Sequence, residues 1–270
     1  MNIHPTAIID KKAKLADGVE IGPYSTVGEN VTIGRDTVIG AHCVIEGYAT
    51  IGERCRIFTG AVIGSIPQDL KYKKGVKSFI KIGNDNIIRE YITINPGTEE
   101  GASTVIGDKN ELMAYVHIAH DCEIGNNVII ANLGTLAGYI KIEDRAVIGG
   151  MTAIHQFVHI GQLSITGGCS KIVQDILPYS MTDGNPARLY TINAVGLRRA
   201  NMPIQTRNTL KKALKILQNE ELSIPHAITL IEQEIKPQVP EVSTSSSLLK
   251  APKGALLGNI KNGKDWFNCR

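Results

Sequence analysis

Seven histidines occur in the 270-residue chain, and four of them fall in or beside two short motifs: HIAHDC, from His117 to Cys122, and AIHQFVHIG, from Ala153 to Gly161. Imidazole is the side chain suited to proton transfer near neutral pH, and Asp121, adjacent to His120, is placed to orient its Nδ1. His117 and His155 stand nearby at outward positions. Two chemistries use such a set. Acyl transfer needs a base and a donor for an oxyanion. A zinc site needs three converging imidazoles, for which His117, His120, His155 and His159 are candidates. The spacing weighs against zinc, because His117 and His120 lie three positions apart and should point in different directions. A solvent-facing His120 would otherwise be a plain surface group. Its company lifts it above that.

What must position these groups is legible in the aliphatics. Ile9, Leu15, Ile21, Val27, Ile33, Ile39, Ile45, Ile51, Ile57 and Ile63 follow one another at intervals of six, with a small or β-branched residue two positions before each. Glycine follows at 22, 28, 34, 40, 52 and 64. Six is a multiple of the strand's two-residue period, so every unit presents the same positions inward, whereas a helix would carry them around its circumference. One unit cannot bury its own isoleucine. The units must therefore stack as a β-solenoid with glycine-permitted corners.

Three hexads to a coil place residues eighteen apart above one another. Gly138 then stacks over His120, and Gln156 over Gly138. A glycine leaves its backbone N–H uncovered, so this column offers a base, a bare amide and a neutral donor in one cleft.

The repeat resumes at Ile82, Ile88 and Ile94 and continues from Ile106 to Ile160, with Thr166 the one defector before Ile172. Two interruptions read as external loops, near 65–78, which holds QDLKYKKG, and near 96–103, where the inward slot at Glu100 is charged. Loops thrown from a rigid scaffold usually carry function. The expected organisation is a β-helix over 1–187 and a helical domain over 188–270. In the latter, Ile204, Arg207, Leu210, Lys211, Leu214 and Leu217 make an apolar stripe with a basic flank after Pro203 as first helical residue. A second helix is expected over about 225–235, and the tail containing VSTSSS reads as partly disordered.

A net charge of +3 does not argue for a nucleic-acid partner, and an aromatic content of 5% suits a solenoid filled by Ile, Val, Ala and Thr. The stretch MNIHPTAIID shows no basic region, apolar segment or cleavage site, so a leader peptide is not expected, and no run of eighteen apolar residues occurs in the sequence. Of the five cysteines, Cys43, Cys55 and Cys122 fall in small inward slots and read as buried free thiols. A cytoplasmic location is the expectation.

The hexads, QDLKYKKG at Gln68 to Gly75, INPGT at Ile94 to Thr98, HIAHDC, NLGTLAGY at Asn132 to Tyr139, IGGMTAIHQF at Ile148 to Phe157, GGCS at Gly167 to Ser170 and NAVGLRR at Asn193 to Arg199 resemble the UDP-N-acetylglucosamine O-acyltransferase family of lipid A biosynthesis, among the hexapeptide-repeat acyltransferases. The resemblance covers nearly the whole chain. It implies a left-handed parallel β-helix with a C-terminal helical domain, assembled as a homotrimer with active sites between subunits. It also implies transfer of an R-3-hydroxyacyl group from acyl carrier protein to the 3-hydroxyl of UDP-N-acetylglucosamine, with no cofactor and no metal.

By the same resemblance His120 is the general base, Asp121 orients it and the Gly138 amide holds the thioester oxyanion. Gln68, Asp69 and Lys71 fall on the glucosamine and phosphate side, completed by His117, Tyr139, His155 and Gln156, while Asn193 and Arg199 reach the nucleotide. Gly168 occupies the position that sets acyl length. The sequence departs from the family at Asn95 and Tyr139, where many members have histidine, and at Val195, which replaces an acidic residue. Three alternatives remain at this stage. They are the N-acyltransferase of the same pathway, a zinc-dependent carbonic anhydrase on the same fold, and an inert scaffold.

Overall fold

The structure, a computed structural model, describes residues 2–219 and 221–234. The expected disordered tail and the end of the second helix at Ile235 lie outside the described residues. Within them, two-residue strands separated by four-residue corners wind into three flat faces. One coil is represented by Glu111–Leu112, His117–Ile118 and Glu123–Ile124, which belong to the first, second and third face respectively. Every third strand pairs in parallel, as in His117↔Thr135 and Ile118↔Leu136, so that the described residues form sheets of eleven, nine and eight strands. The result is a left-handed parallel β-helix, a three-sided prism with a small C-terminal helical part.

The second residue of each strand points inward because side chains alternate across a strand. Ile33, Ile45, Ile63, Ile94, Ile118 and Ile148 are all at most 1% exposed. Ile9 and Leu15 are only partly buried, since no coil lies beneath the first. Thr166 breaks the aliphatic column without leaving an orphan hydroxyl, because its Oγ1 accepts the Gly149 N–H at 3.0 Å.

The corners differ from expectation. Except at Gly64 (φ 101°), where the first loop departs, the glycine after each isoleucine is not what turns the chain. Left-handed backbone falls two residues further on, at non-glycine positions such as Asp36 (φ 57°), Asp85 (φ 57°) and Asp121 (φ 58°). The glycines serve coil spacing instead: a Cβ on Gly34 would lie 2.5 Å from the carbonyl carbon of Gly52 in the next coil.

Both long loops leave the prism from the same corner, after second-face strands Val62–Ile63 and Thr93–Ile94. Neither breaks the wall. Val62 pairs with Val44 on one side and Thr93 on the other, and Thr93 pairs with His117, so the loops are inserted between intact coils. They are clasped together. Asn95 Nδ2 donates to the Ser65 carbonyl at 2.9 Å, Gly101 N–H to the Lys77 carbonyl at 2.9 Å, and Glu100 Oε2 accepts the Lys77 N–H at 2.9 Å. Glu100, charged at an inward register position, is thus carried out of the wall to join the loops.

After the last coil the chain forms an antiparallel hairpin, Ser180–Gly184 with Ala187–Ile192, which the hexad pattern did not indicate. Three helices follow, α1 (Ala194–Arg199), α2 (Ile204–Leu217) and α3 (Ile224–Glu234). Pro203 caps α2 rather than occupying its first turn. Leu210, Leu214 and Leu217 are buried in a second core with Leu177, Tyr179 and Leu197, whereas Ile204 is 60% exposed and drops out of the expected stripe.

Cys43, Cys55 and Cys122 are fully buried free thiols, and Cys169 is exposed. Burial pushes the thiols of Cys43 and Cys55 up, and that of Cys122 up to about 12. Because the thiolate is the reactive form, iodoacetamide at pH 8 should modify Cys169 in the native protein and reach Cys43, Cys55 and Cys122 only after denaturation. Peptide mass mapping with and without guanidinium checks this, and native labelling of Cys122 would contradict it.

Candidate active site

His120 and Asp121 form the corner that follows His117–Ile118, one coil beyond the point where the second loop departs. Asp121 Oδ2 lies 2.9 Å from His120 Nδ1. A carboxylate only accepts, so Nδ1 carries the proton and Nε2 keeps its lone pair in the neutral ring. Asp69 Oδ2, from the first loop, stands 3.9 Å from Nε2. The imidazole is therefore not the solvent-facing group that its outward register position implied: His120 is 7% exposed. The loops emerge from the same corner on the N-terminal side and fold over it, a tertiary effect that periodicity does not carry.

Gly138 sits on the next coil, directly against the ring. A Cβ there would meet His120 Cε1 at 2.3 Å and Nε2 at 2.6 Å. The eighteen-residue stacking is visible in the backbone, since Tyr139 N–H donates to the His120 carbonyl at 3.0 Å and Phe157 N–H to the Gly138 carbonyl at 3.2 Å. The rings stack along the same corner. Tyr139 meets His120 edge-on, with centroids 5.3 Å apart, and lies parallel to Phe157 at 5.0 Å.

His117 projects from the second face beside this corner, and its Nδ1 pairs with Thr93 Oγ1 at 2.7 Å. Burial, and after it the nearby charge of His120, push its imidazole below the ordinary range, so it is neutral at pH 7. His155 and Gln156 occupy the same corner two coils on from His120. His155 is exposed, with Nδ1 at 3.1 Å from the Gln156 carbonyl. Gln68 and Lys71 are exposed on the first loop, where the Lys71 N–H is held by Asp69 Oδ1 at 2.8 Å.

Other expected residues lie apart within one chain. Gly168 belongs to the corner after Ile165–Thr166, between the first and second faces, and not to the His120 column. Asn193 is 6% exposed and engaged internally: its Oδ1 accepts the Gly196 N–H as the cap of α1, and its Nδ2 donates to the Leu163 carbonyl, both at 2.9 Å. Arg199, in the last turn of α1, is exposed. Among the described residues, no group of three or more His, Cys, Asp or Glu side chains is arranged to hold a metal ion.

One residue of the constellation was missed. Thr98 donates to Asp121 Oδ2 through both its hydroxyl, at 2.8 Å, and its N–H, at 3.1 Å. It lies in a loop without periodicity, and only the adjacency of INPGT to the catalytic-type motif in three dimensions exposes it.

A base, its orienting carboxylate and a bare amide are what acyl transfer to a hydroxyl requires. The model for bacterial transferase hexapeptide repeats matches residues 1–35 and 103–138, and that for UDP N-acetylglucosamine O-acyltransferase, domain 2, matches residues 175–254. The acyl-[acyl-carrier-protein]–UDP-N-acetylglucosamine O-acyltransferase of Synechocystis sp. is 52% identical over 84% of this chain and 82% of its own length. The enzyme of the same name from Thermodesulfovibrio yellowstonii is 50% identical over 93% of this chain and 97% of its own. The solved structure of LpxA from Acinetobacter baumannii superposes with a TM-score of 0.90 at 41% identity, covering 94% of this chain and 99% of that one. The chain belongs to the UDP-N-acetylglucosamine O-acyltransferase family.

Proposed function

We propose that this protein transfers an R-3-hydroxyacyl group from acyl carrier protein to the 3-hydroxyl of UDP-N-acetylglucosamine, the first step of lipid A biosynthesis. The observation that carries the reading is the His120 ring lying where a side chain at residue 138 would be. His120 Nε2 takes the proton of the sugar hydroxyl as its oxygen attacks the thioester carbonyl. Asp121 holds the imidazolium that forms, and the Gly138 amide donates to the developing oxyanion. Collapse of that intermediate breaks the carbon–sulfur bond, and His120 returns the proton to the leaving thiolate. Thioester and alcohol become ester and thiol, so the balance requires no cofactor.

Asp69 and Lys71 serve the sugar and phosphate side with Gln68, His117, Tyr139, His155 and Gln156, the Lys71 ammonium being suited to a diphosphate. Arg199 reaches the nucleotide, presented by the helix that Asn193 caps. Gly168 sets the acyl length. The separation of Gly168, Asn193 and Arg199 from the His120 column in one chain favours a homotrimer whose clefts join residues of two copies. The surface supports that assembly. Outward positions on the third face include Lys14, Lys81, Glu123 and Lys141, whereas the C-terminal part of the first face presents Ile129, Val147 and Ile165 and the second face, Lys171 apart, presents mainly Thr26, Val44, Val62, Thr93, Thr135 and Ala153. The corner between the first and second faces carries an exposed ladder of Tyr24, Tyr91, Tyr115, Leu133 and Met151. Contact between different faces of like copies closes into a ring.

No helix among the described residues is long and apolar enough to cross a membrane. A cytoplasmic enzyme drawing on the soluble carrier protein pool fits the reading. Mass spectrometry of purified protein with 3-hydroxyacyl carrier protein and UDP-N-acetylglucosamine should reveal the O-acylated sugar nucleotide. Acylation confined to the free amine of a 3-O-acyl-glucosamine acceptor would instead favour the N-acyltransferase, and no product with either acceptor would reject both.

A further inference from the structure

Asp121 is the hub of a small polar network. Its Oδ2 faces three donors: His120 Nδ1 at 2.9 Å, the Thr98 hydroxyl at 2.8 Å and the Thr98 N–H at 3.1 Å. The hydroxyl has a single proton and gives it to a group that can only accept. Tyr139 OH, 3.0 Å from Thr98 Oγ1, must therefore be the donor of that pair. A relay runs from Tyr139 through Thr98 to Asp121, opposite the His120 proton. Gly97 keeps the loop flat against the carboxylate, since a Cβ there would lie 2.8 Å from Asp121 Oδ1. Asn95 secures the start of the segment, donating its N–H to the Ile118 carbonyl at 3.0 Å and its Nδ2 to the Ser65 carbonyl at 2.9 Å.

Thr98 is not needed to build the prism. The strands on either side of its loop each pair with the following coil, Thr93 with His117 and Val105 with Glu123. Its side-chain hydroxyl contacts only Asp121 and Tyr139 among the described residues. A polar side chain in a loop dispensable to the wall, spending its hydroxyl on a carboxylate that is itself 9% exposed, is arranged for that carboxylate.

We propose that Thr98 is a positioning residue for acyl transfer, braced by Tyr139, which locks the Asp121 carboxylate so that the proton of His120 stays on Nδ1 and Nε2 faces the sugar hydroxyl. The proposal rests on the reading of His120 as general base. Without the Thr98 hydroxyl, the carboxylate keeps one fewer anchor and gains freedom to rotate away from the ring. Misplacement of a base by a fraction of an ångström is felt in the chemical step more than in substrate binding.

The test compares Thr98→Val, which preserves shape and removes the hydroxyl, with Thr98→Ser, which restores it. Thr98→Val should lower kcat by about tenfold, the order expected for one hydrogen bond to a charged group, with KM for UDP-N-acetylglucosamine and the melting temperature near wild type. In the proton NMR spectrum the far-downfield Nδ1–H resonance of His120, assigned by its loss in His120→Ala, should broaden or vanish. Thr98→Ser should recover both rate and resonance. Wild-type turnover in Thr98→Val, equal impairment of the serine variant, or an unchanged resonance would each overturn the proposal. His120→Ala, assayed in parallel, separates the two readings: if it is inactive while Thr98→Val is normal, only the positioning role fails, and if it remains active the base assignment fails first. Should Thr98→Val not fold, Tyr139→Phe removes the outer donor without touching the loop. A smaller fall in kcat with a broadened resonance supports the relay, and no change in either refutes it.

Discussion

His120→Ala is expected to lower kcat on the order of a hundredfold or more, the contribution of a positioned general base. The structure makes this a clean substitution. The imidazole takes part in no backbone pairing, and Asp121 retains two donors from Thr98 after its removal. The ring lies outside the aliphatic column, so the coil pairing on both sides, His117↔Thr135 above all, should persist. UDP-N-acetylglucosamine should still bind. Isothermal titration with the sugar nucleotide, alongside steady-state rates, separates the two effects, and a rate within a few fold of wild type rejects His120 as the base.

The second large effect is expected from Gly138→Ala. The backbone there lies outside the left-handed region, so alanine meets no conformational strain. The obstacle is the ring: Cβ would fall 2.3 Å from His120 Cε1 and 2.9 Å from Nδ1. Coils fixed by pairing on both sides cannot spread, and the imidazole must shift by about an ångström, enough to cost on the order of a hundredfold in the chemical step. The same methyl crowds the N–H that faces the oxyanion. Both consequences act on kcat and neither on folding, so thermal unfolding should stay close to wild type while turnover collapses. An active Gly138→Ala enzyme would mean that the thioester is polarised elsewhere.

How much of this was legible in the sequence follows from which interactions are periodic. Ile118, Leu136 and Ile154 recur at eighteen, three hexads apart, and a solenoid of three hexads per coil turns that linear period into vertical neighbours. That is why the pairing of His120 with Gly138 could be read without coordinates. The period also placed Cys43, Cys55 and Cys122 indoors, and each is fully buried. What it could not carry is the course of the inserted loops. The burial of His120, the approach of Asp69 and the grip of Thr98 on Asp121 all arise where two loops from one corner fold back, held by Asn95 and Glu100 through contacts 23 to 30 residues apart. The hairpin after Leu177 escaped for a related reason. Its residues leave the hexad register, and Asn193 caps a helix too short to show its own periodicity.

The corner chemistry carries a similar lesson. Glycine after each isoleucine looked like the turning residue, yet left-handed backbone is borne by Tyr139, Asp121 and Phe157 in the site itself. Such residues cost more in that conformation than glycine does. Here they project ring and carboxylate from the corner, which glycine could not, and the coil pairing on both sides holds them in place.

The most direct measurement is a crystal structure of the protein with UDP-N-acetylglucosamine and a non-hydrolysable acyl-pantetheine bound together. The expected complex has the sugar 3-hydroxyl within hydrogen-bond reach of His120 Nε2, about 2.6–3.2 Å, and the acyl carbonyl oxygen on the Gly138 N–H. A ternary complex in which the hydroxyl faces another base, or the carbonyl lies away from residue 138, would contradict it.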